Sequence, residues 1–261
     1  MLQLDRHQRI RALLAGDGQA STERIANELG VSRETVRRDV LALEAAGQLR
    51  RVFGGVMACD TDAEAEPPLA QRTKINALDK RAIVRAAARL PQPGQSLFID
   101  AGSTVSMLAQ ELASLRDFTV ITNSFDVALK LASPTLDGGA PRHQVHVLGG
   151  RPRPELGANY GDATVAEVMR WRVDWALLSP VGVEARMGAS SFDPSEAELA
   201  RAMVRQARRT VLLADHSKIG VCARVAFCGI EQVHQLITNK RARDSAALHA
   251  LADAGCELTL V

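Results

Sequence analysis

The stretch from Ser21 to Gly47 leaves little choice but two short helices joined by a tight turn. Ser21 is placed to cap the first helix, with Glu23 close to its positive end. Ile25, Ala26 and Leu29 fall on one side, and Gly30 ends the helix. Gly30 and Val31 form the turn, and Ser32 caps the second helix. On that helix Val36, Val40 and Leu43 recur at i, i+4 and i+7, which turns them inward, and Gly47 is the stop. The outward side carries Arg33, Thr35, Arg37 and Arg38 within the first turns. A basic helix face is usually only solvated. Here it lies on the second helix of a complete helix–turn–helix pattern, the element that meets base edges and phosphates in the major groove of DNA. Arginine pairs with guanine or clamps phosphate, and a hydroxyl serves either.

The neighbouring residues extend this unit. Leu4 to Ala15 carries Ile10, Leu13 and Leu14 at helical spacing, and Gly16-Asp17-Gly18 breaks it. After Gly47 two short β-prone runs flank Gly54-Gly55, the signature of a hairpin. A hairpin directly after a recognition helix is a wing, with Arg50 and Arg51 placed to grip the sugar-phosphate backbone. The expected DNA-contacting set is therefore Ser32, Arg33, Thr35, Arg37, Arg38, Arg50 and Arg51. Charge agrees: residues 1–58 hold nine basic and seven acidic side chains, while the remainder balances 23 against 23, so the whole formal net charge of +2 sits in this segment.

Residues 59–78 turn acidic and contain Pro67-Pro68, which predicts a linker. A helix is expected over 79–90, stopped by Pro91. Beyond Ser96 short apolar runs alternate with amphipathic stretches. Strands are expected at 96–101, 118–122, 144–148, 173–179, 210–214 and 235–238, with a short last one at 257–261. Helices are expected at 104–113, 124–131, 161–171, 194–208 and 242–254. Such alternation predicts an α/β domain with a mainly parallel sheet. The expected organisation is a DNA-binding domain over 1–58, a linker over 59–78 and an α/β domain over 79–261.

In an open α/β sheet ligands bind beyond the carboxyl ends of the strands. Asp100, Ala101, Gly102, Ser103 and Thr104 follow the first strand and run into a helix. Gly102 permits close approach, and two hydroxyls sit beside free N–H groups, a seat for phosphate or another anion. Asn123 and Ser124 follow the second strand, Gly149 and Gly150 the third, and Lys218 lies beyond the fifth, where it can neutralise a phosphate. Asp100 and Asn123 suit sugar hydroxyls. Each piece also has a plainer use: Gly-Ser-Thr as a loop, Asn123-Ser124 as a helix cap, Lys218 as a solvated lysine, His216 as a structural ring. Convergence of these polar, glycine-rich loops on one sheet edge favours a binding site. The expected set is Asp100, Gly102, Ser103, Thr104, Asn123, Ser124, Gly149, Gly150 and Lys218.

Composition narrows the classes. Cys59, Cys222, Cys228 and Cys256 form no C-x-x-C pair and no zinc-type spacing, so reduced thiols are expected and neither a metal nor a cofactor is called for. The N-terminus is charged and lacks an apolar core, against a secretory signal. No apolar run approaches bilayer length, so a cytoplasmic protein with no membrane partner is expected.

The N-terminal segment resembles the DeoR family of bacterial transcriptional regulators in Arg9-Ile10, Leu13-Leu14, Ile25-Ala26, Leu29 through Ser32, Thr35 through Asp39, Leu43-Glu44, Gly47, Leu49, Arg51-Val52 and Gly54-Gly55. The resemblance continues through Asp79 to Ile83, Phe98 to Gly102, Thr119 to Ser124, Leu148 to Gly150, Gly161, Glu196 to Glu198, Arg201 to Met203, and Leu213 to Asp215 with Ser217, Lys218 and Gly220. Departures are Phe53 for the usual His, Ser103 for a common Thr, Ala200 where many members have Lys, and Asn239 where Asp is usual. The resemblance implies a winged helix–turn–helix domain followed by an α/β sensor domain similar to sugar-phosphate isomerases. It further implies operator DNA as partner, a phosphorylated sugar or polyol as effector, and a homo-oligomer, dimer or tetramer. A repressor of a carbohydrate or polyol operon, with no catalytic residues, is the expected function. The alternative is a sugar-phosphate isomerase with an appended helical domain, for which Asp100 and Asp215 are the candidate bases.

Overall fold

The computed structural model describes residues 3–17, 19–45, 49–52, 55–58, 67–133 and 140–261. The chain divides into two units, Met1–Glu64 and Ala65–Val261.

The first unit runs α1 (Gln3–Asp17), β1 (Gln19–Ser21), α2 (Thr22–Leu29), α3 (Arg33–Ala45), β2 (Leu49–Val52) and β3 (Gly55–Ala58). Ser21 caps α2 by accepting from the Arg24 N–H at 3.1 Å. Gly30 closes that helix at φ 64°, a left-handed conformation that costs glycine nothing. Ser32 caps α3, accepting from Thr35 N at 3.1 Å. The apolar stripes meet as expected, with Ile10, Leu14, Ile25, Val36, Val40, Leu43, Leu49 and Val56 buried together. One strand was not anticipated. β1 pairs antiparallel with β3, giving the order β1-β3-β2. This strand explains Gly55: a Cβ there would lie 2.5 Å from the Ala20 carbonyl oxygen, so only glycine allows the approach. Of the wing, Gly54 and the side chains of Arg50 and Arg51 lie outside the described residues.

The second unit begins with two helices, α4 (Leu69–Arg72) and α5 (Ala77–Ala87). Residues 59–66 of the expected linker lie outside the described residues, while α4 and the start of α5 fold within the stretch expected to be linker. Then follow β4 (Ser96–Ile99), α6 (Ser103–Leu112), β5 (Thr119–Thr122), α7 (Phe125–Ala132), β6 (Gln144–Val147), β7 (Arg151–Arg153), β8 (Ala158–Tyr160), α8 (Asp162–Val168) and β9 (Val173–Leu178). The remainder is β10 (Gly182–Glu184), β11 (Gly188–Ser191), α9 (Pro194–Gln206), β12 (Ala207–Leu213), β13 (Val225–Cys228), β14 (Gln235–Thr238), α10 (Ala246–Asp253) and β15 (Glu257–Leu260).

Seven of these strands form one sheet in the order β15-β14-β12-β9-β4-β5-β6, with every neighbour parallel. Alternation along the strands sorts the core into two faces. Leu97, Ile99, Val120, Trp175, Leu177 and Val211 pack with Ile83 of α5, Leu108 of α6 and Val127 of α7. Phe98, Ile121, Ala176, Leu178 and Leu212 pack with Val168 of α8, Met203 of α9 and Leu251 of α10. Two small antiparallel sheets were not anticipated: the β7–β8 hairpin and the order β10-β11-β13.

Strand order carries the functional consequence. From β4 the chain adds β5 and β6 on one side, then crosses to β9, β12, β14 and β15 on the other. The reversal lies between β4 and β9, and a crevice opens beyond the carboxyl ends of strands at such a point.

Candidate functional site

The outer side of α3 is built as its sequence predicts. Arg33, Arg37 and Arg38 project into solvent, the last two with side chains 69% and 79% exposed. Weak ion pairs hold them over Glu34, at 4.0 Å from Arg37 and 3.6 Å from Arg38, and Arg33 pairs with Glu23 of α2. Exposed pairs of this kind hold little energy, so the guanidinium groups are available to phosphate and base edges. Thr35 is half-buried, and its hydroxyl lies 2.9 Å from that of Ser32. Sequence reasoning overlooked Asp39. Its carboxylate, 1% exposed, takes a fork from Arg6 of α1 at 2.6 and 3.0 Å and faces His7 at 3.1 Å. Burial pushes the Asp39 carboxyl up, but the hydrogen bonds from Arg6 and His7 outweigh it and hold the group below its ordinary value. This anchor fixes the angle at which α3 leaves α1.

In the second unit the crevice at the reversal is a cleft in two halves. One half, open to solvent, spans about 700 Å³ of space between atoms and is lined by Arg72, Lys80, Gly102, Ser103, Thr104 and Lys218, among others. The other, also open, spans about 540 Å³ and is lined by Arg72, Asp100, Asn123, Tyr160, Glu196 and Ala200, among others. Arg72, Ser179 and Pro180 border both. The Ser179 N–H donates to Asp100 Oδ2 at 3.3 Å, joining the ends of β9 and β4.

The larger half is cationic. Ser103 and Thr104 sit buried at the start of α6, where first-turn N–H groups have no partner within the helix. Lys80, only 4% exposed, donates to Ser103 Oγ at 3.1 Å and to the Arg72 carbonyl at 2.6 Å. Its three cations face one acid, Asp215, whose Oδ1 already accepts from Asn76 Nδ2 at 2.9 Å, Ser217 N at 3.0 Å and Ser217 Oγ at 2.6 Å. A helix start with surplus positive charge suits a phosphate. These hydrogen bonds commit Asp215 to capping its turn. His216 is likewise structural: its N–H donates to Asn239 Oδ1 at 2.6 Å, and its ring faces Asn239 at 3.2 Å.

The smaller half is acidic and hydroxyl-rich. The Tyr160 hydroxyl is pushed above the ordinary tyrosine range by burial first, then by the negative charges of Glu196 and Asp100. Ser191 donates to Glu196 at 2.8 Å, and Asn123 Nδ2 donates to the Asn159 carbonyl at 3.1 Å. Arg153 spans the rim, bonding to Asp193 at 2.5 Å and stacking over the Tyr160 ring at 5.5 Å.

The expected binding residues divide accordingly. Asp100, Gly102, Ser103, Thr104, Asn123 and Lys218 come together on the cleft. Ser124, Gly149 and Gly150 do not line it. Ser124 caps α7, accepting from Val127 N at 3.3 Å. Gly149 donates to Glu167 at 2.6 Å, and its carbonyl accepts from Thr164 at 2.7 Å. At Gly150 a Cβ would lie 2.0 Å from the Thr164 hydroxyl, so glycine is needed there for packing on α8. Arg72, Lys80, Tyr160 and Glu196 were overlooked. Arg72 fell within the presumed linker, and Tyr160 lies on an unexpected hairpin. Lys80 and Glu196 look in sequence like ordinary helix residues.

A winged helix–turn–helix unit followed by a doubly wound domain with a cleft at its topological switch point is the architecture of a DNA-binding transcriptional regulator with a ligand site. Two family models match: the DeoR-like helix-turn-helix domain over residues 6–62 and the DeoR C terminal sensor domain over 75–240. The chain belongs to the DeoR family. It is 32% identical to the HTH-type transcriptional repressor CsqR of Escherichia coli, over 90% of this chain and 87% of that one. It is 31% identical to the glycerol-3-phosphate regulon repressor of Haemophilus influenzae, over 91% and 90%. Among solved structures, ribose 5-phosphate isomerase A of Methanocaldococcus jannaschii overlaps with a TM-score of 0.38 and 17% identity, over 55% of this chain and 54% of that one. Among the described residues no helix is long and apolar enough to cross a membrane, and no group of His, Cys, Asp and Glu could hold a metal ion.

Proposed function

We propose that this regulator is a repressor of a carbohydrate or polyol operon, released from its operator when a phosphorylated sugar or polyol fills the cleft. The observation that carries the reading is the division of charge along one groove. Arg72, Lys80 and Lys218 meet the start of α6 in one half, and Asp100, Glu196, Asn123 and Tyr160 line the other. The phosphate sits against Gly102, Ser103 and Thr104 with Lys80 and Lys218 as countercharge. The polyol hydroxyls bond to Asp100, Asn123 and Glu196. The names of the relatives, one of them a glycerol-3-phosphate regulon repressor, support the same ligand class.

On DNA, Arg33, Thr35, Arg37 and Arg38 read the major groove from α3, Ser32 fixes its start, and Arg50 and Arg51 grip phosphate from the wing. One such unit reads few base pairs, so the protein acts as a cytoplasmic homo-oligomer on repeated half-sites, whole helical turns apart. The test of the ligand reading is a thermal melt of the full chain with matched pairs of phosphorylated and unphosphorylated sugars and polyols. A ligand specific to the folded state raises Tm. Stabilisation by phosphorylated members alone is expected; stabilisation by none, or equally by both, contradicts the reading.

A further inference from the structure

Residues 69–76 form a strap by which the chain enters the second unit, and two hydrogen bonds tie it to the cleft. At its start Leu69 lies near the turn of the β7–β8 hairpin, its Cδ2 4.0 Å from where a Cβ on Gly157 would stand. Leu156 of the same turn lines the acidic half. In the middle, the Arg72 carbonyl is held by Lys80 Nζ at 2.6 Å. At its end Asn76 adopts a left-handed backbone, φ 53°, and its side chain donates to Asp215 at 2.9 Å. Asn76 is thus a fixed pivot, and the Lys80 contact holds the segment ahead of it.

Lys80 is the informative residue. The 4%-exposed ammonium donates to the Arg72 carbonyl and to a hydroxyl, and that hydroxyl belongs to Ser103, on the phosphate seat. A hydrogen bond from an ammonium to a phosphate oxygen is roughly twice as strong as one to a neutral acceptor. A phosphate arriving at Ser103 therefore competes with the Arg72 carbonyl for Lys80. The Arg72 guanidinium meanwhile borders both halves of the cleft, so one ligand touches the strap by its side chain while loosening it at its backbone.

Accordingly, we propose that the strap is the switch element: Lys80 latches it through the Arg72 carbonyl in the ligand-free, operator-binding state, and a phosphorylated ligand takes over both Lys80 and the Arg72 side chain and releases it. This rests on the cleft being the sugar-phosphate site. Upstream of the strap the chain leads to the DNA-binding unit.

The experiment uses the full-length protein and measures operator affinity with and without saturating glycerol 3-phosphate and glucose 6-phosphate, with binding followed by titration calorimetry. Arg72→Ala keeps the backbone carbonyl and the latch. It is expected to bind the probe more weakly yet, once saturated, to release the operator as wild type does, by about 5–150-fold, because the ligand still captures Lys80. Lys80→Met removes the latch and is expected to lower operator affinity with no ligand present, to about the level of liganded wild type. Lys74→Ala removes an exposed cation of the same strap that lines neither half and is expected to match wild type. Melting curves establish that each variant is folded, and the Arg72 arm stands should Lys80→Met not fold. An operator affinity unmoved in Arg72→Ala shown by calorimetry to be saturated, or full ligand-free operator affinity in folded Lys80→Met, overturns the proposal. Failure of every phosphorylated probe to bind wild type overturns the ligand reading instead, and the ligand-free Lys80→Met comparison then decides the latch alone.

Discussion

Asp100 accepts a hydrogen bond from the backbone N–H of Ser179 at 3.3 Å, tying the end of β4 to the end of β9 where the strand order reverses. The same carboxylate borders the acidic half of the cleft. Its two roles separate by substitution. Asp100→Asn keeps an acceptor for Ser179 and removes the charge, so Tm is expected to stay within a few degrees while affinity for a phosphorylated polyol falls about tenfold, the loss of one charge-assisted bond. Asp100→Ala removes both and is expected to lower Tm as well. Calorimetric titration beside a thermal melt checks it; equal Tm losses in the two variants would show that the charge, not the acceptor, holds the strands.

The Asp39 anchor gives the DNA-binding unit a definite pH dependence. Its folded carboxyl lies below the ordinary value of 3.8, so its contribution is fully present above that value and is lost as pH falls through the folded one. Wild type is expected to lose helical signal of this unit on acidification from about pH 5 to about pH 2. Asp39→Asn is expected to be less stable at neutral pH and to lose less over that range. A parallel decline in both proteins would place the acid sensitivity elsewhere.

On α3, Arg37→Ala or Arg38→Ala is expected to cost about 1–3 kcal/mol of operator binding and to relax specificity at the bases contacted. Substitution of Arg50 or Arg51 is expected to weaken all DNA alike and flatten the salt dependence, the mark of a phosphate contact. Gel-shift titrations at several salt concentrations separate the two. Unchanged affinity in the Arg37, Arg38 double variant would remove α3 from the groove.

Local pattern made much of this molecule legible. Each of the seven strands expected beyond Ser96 lies in the parallel sheet: the central ones are apolar runs buried on both faces, and the edge strands β6 and β15 showed in their alternation with helices. The cap at Ser21, the left-handed Gly30 and the stripe of Val36, Val40 and Leu43 were equally plain. What stayed hidden depends on distant pairing. β1 and β13 take their register from partners far along the chain, while β7–β8 and β10–β11 are local hairpins of three- and four-residue strands, too short to show a period. Gly149 and Gly150 looked like a ligand loop, but a glycine required by the Thr164 hydroxyl reads the same as one required by a phosphate. Lys80 stood in sequence only as part of a helix matching the family, and the fold shows its burial against Ser103. The three-dimensional meeting of Arg72 with both halves of the cleft has no local signal at all.

Ala200 tests the acidic half from the other direction. It is 7% exposed and lines that half with Asp100 and Glu196. Ala200→Lys places a cation where the polyol hydroxyls are expected, filling space and engaging both carboxylates. Affinity for a phosphorylated hexose is expected to drop at least about tenfold, while a short phosphorylated polyol that leaves this half largely empty is affected less. Equal losses for both ligands would mean that Ala200 acts on the fold and not on ligand length.

The central claim is that one chain joins a DNA-reading helix to a cleft for a phosphorylated sugar, and that filling the cleft weakens the grip on DNA. The most direct measurement is operator affinity of the wild-type protein, on a DNA fragment it selects from its own genome, titrated with a phosphorylated sugar that raises its Tm. Operator affinity is expected to fall over the ligand concentrations that fill the cleft and to level off about 5–150-fold lower at saturation. The unphosphorylated sugar should do nothing. An operator affinity unmoved by a ligand that demonstrably fills the cleft would contradict it.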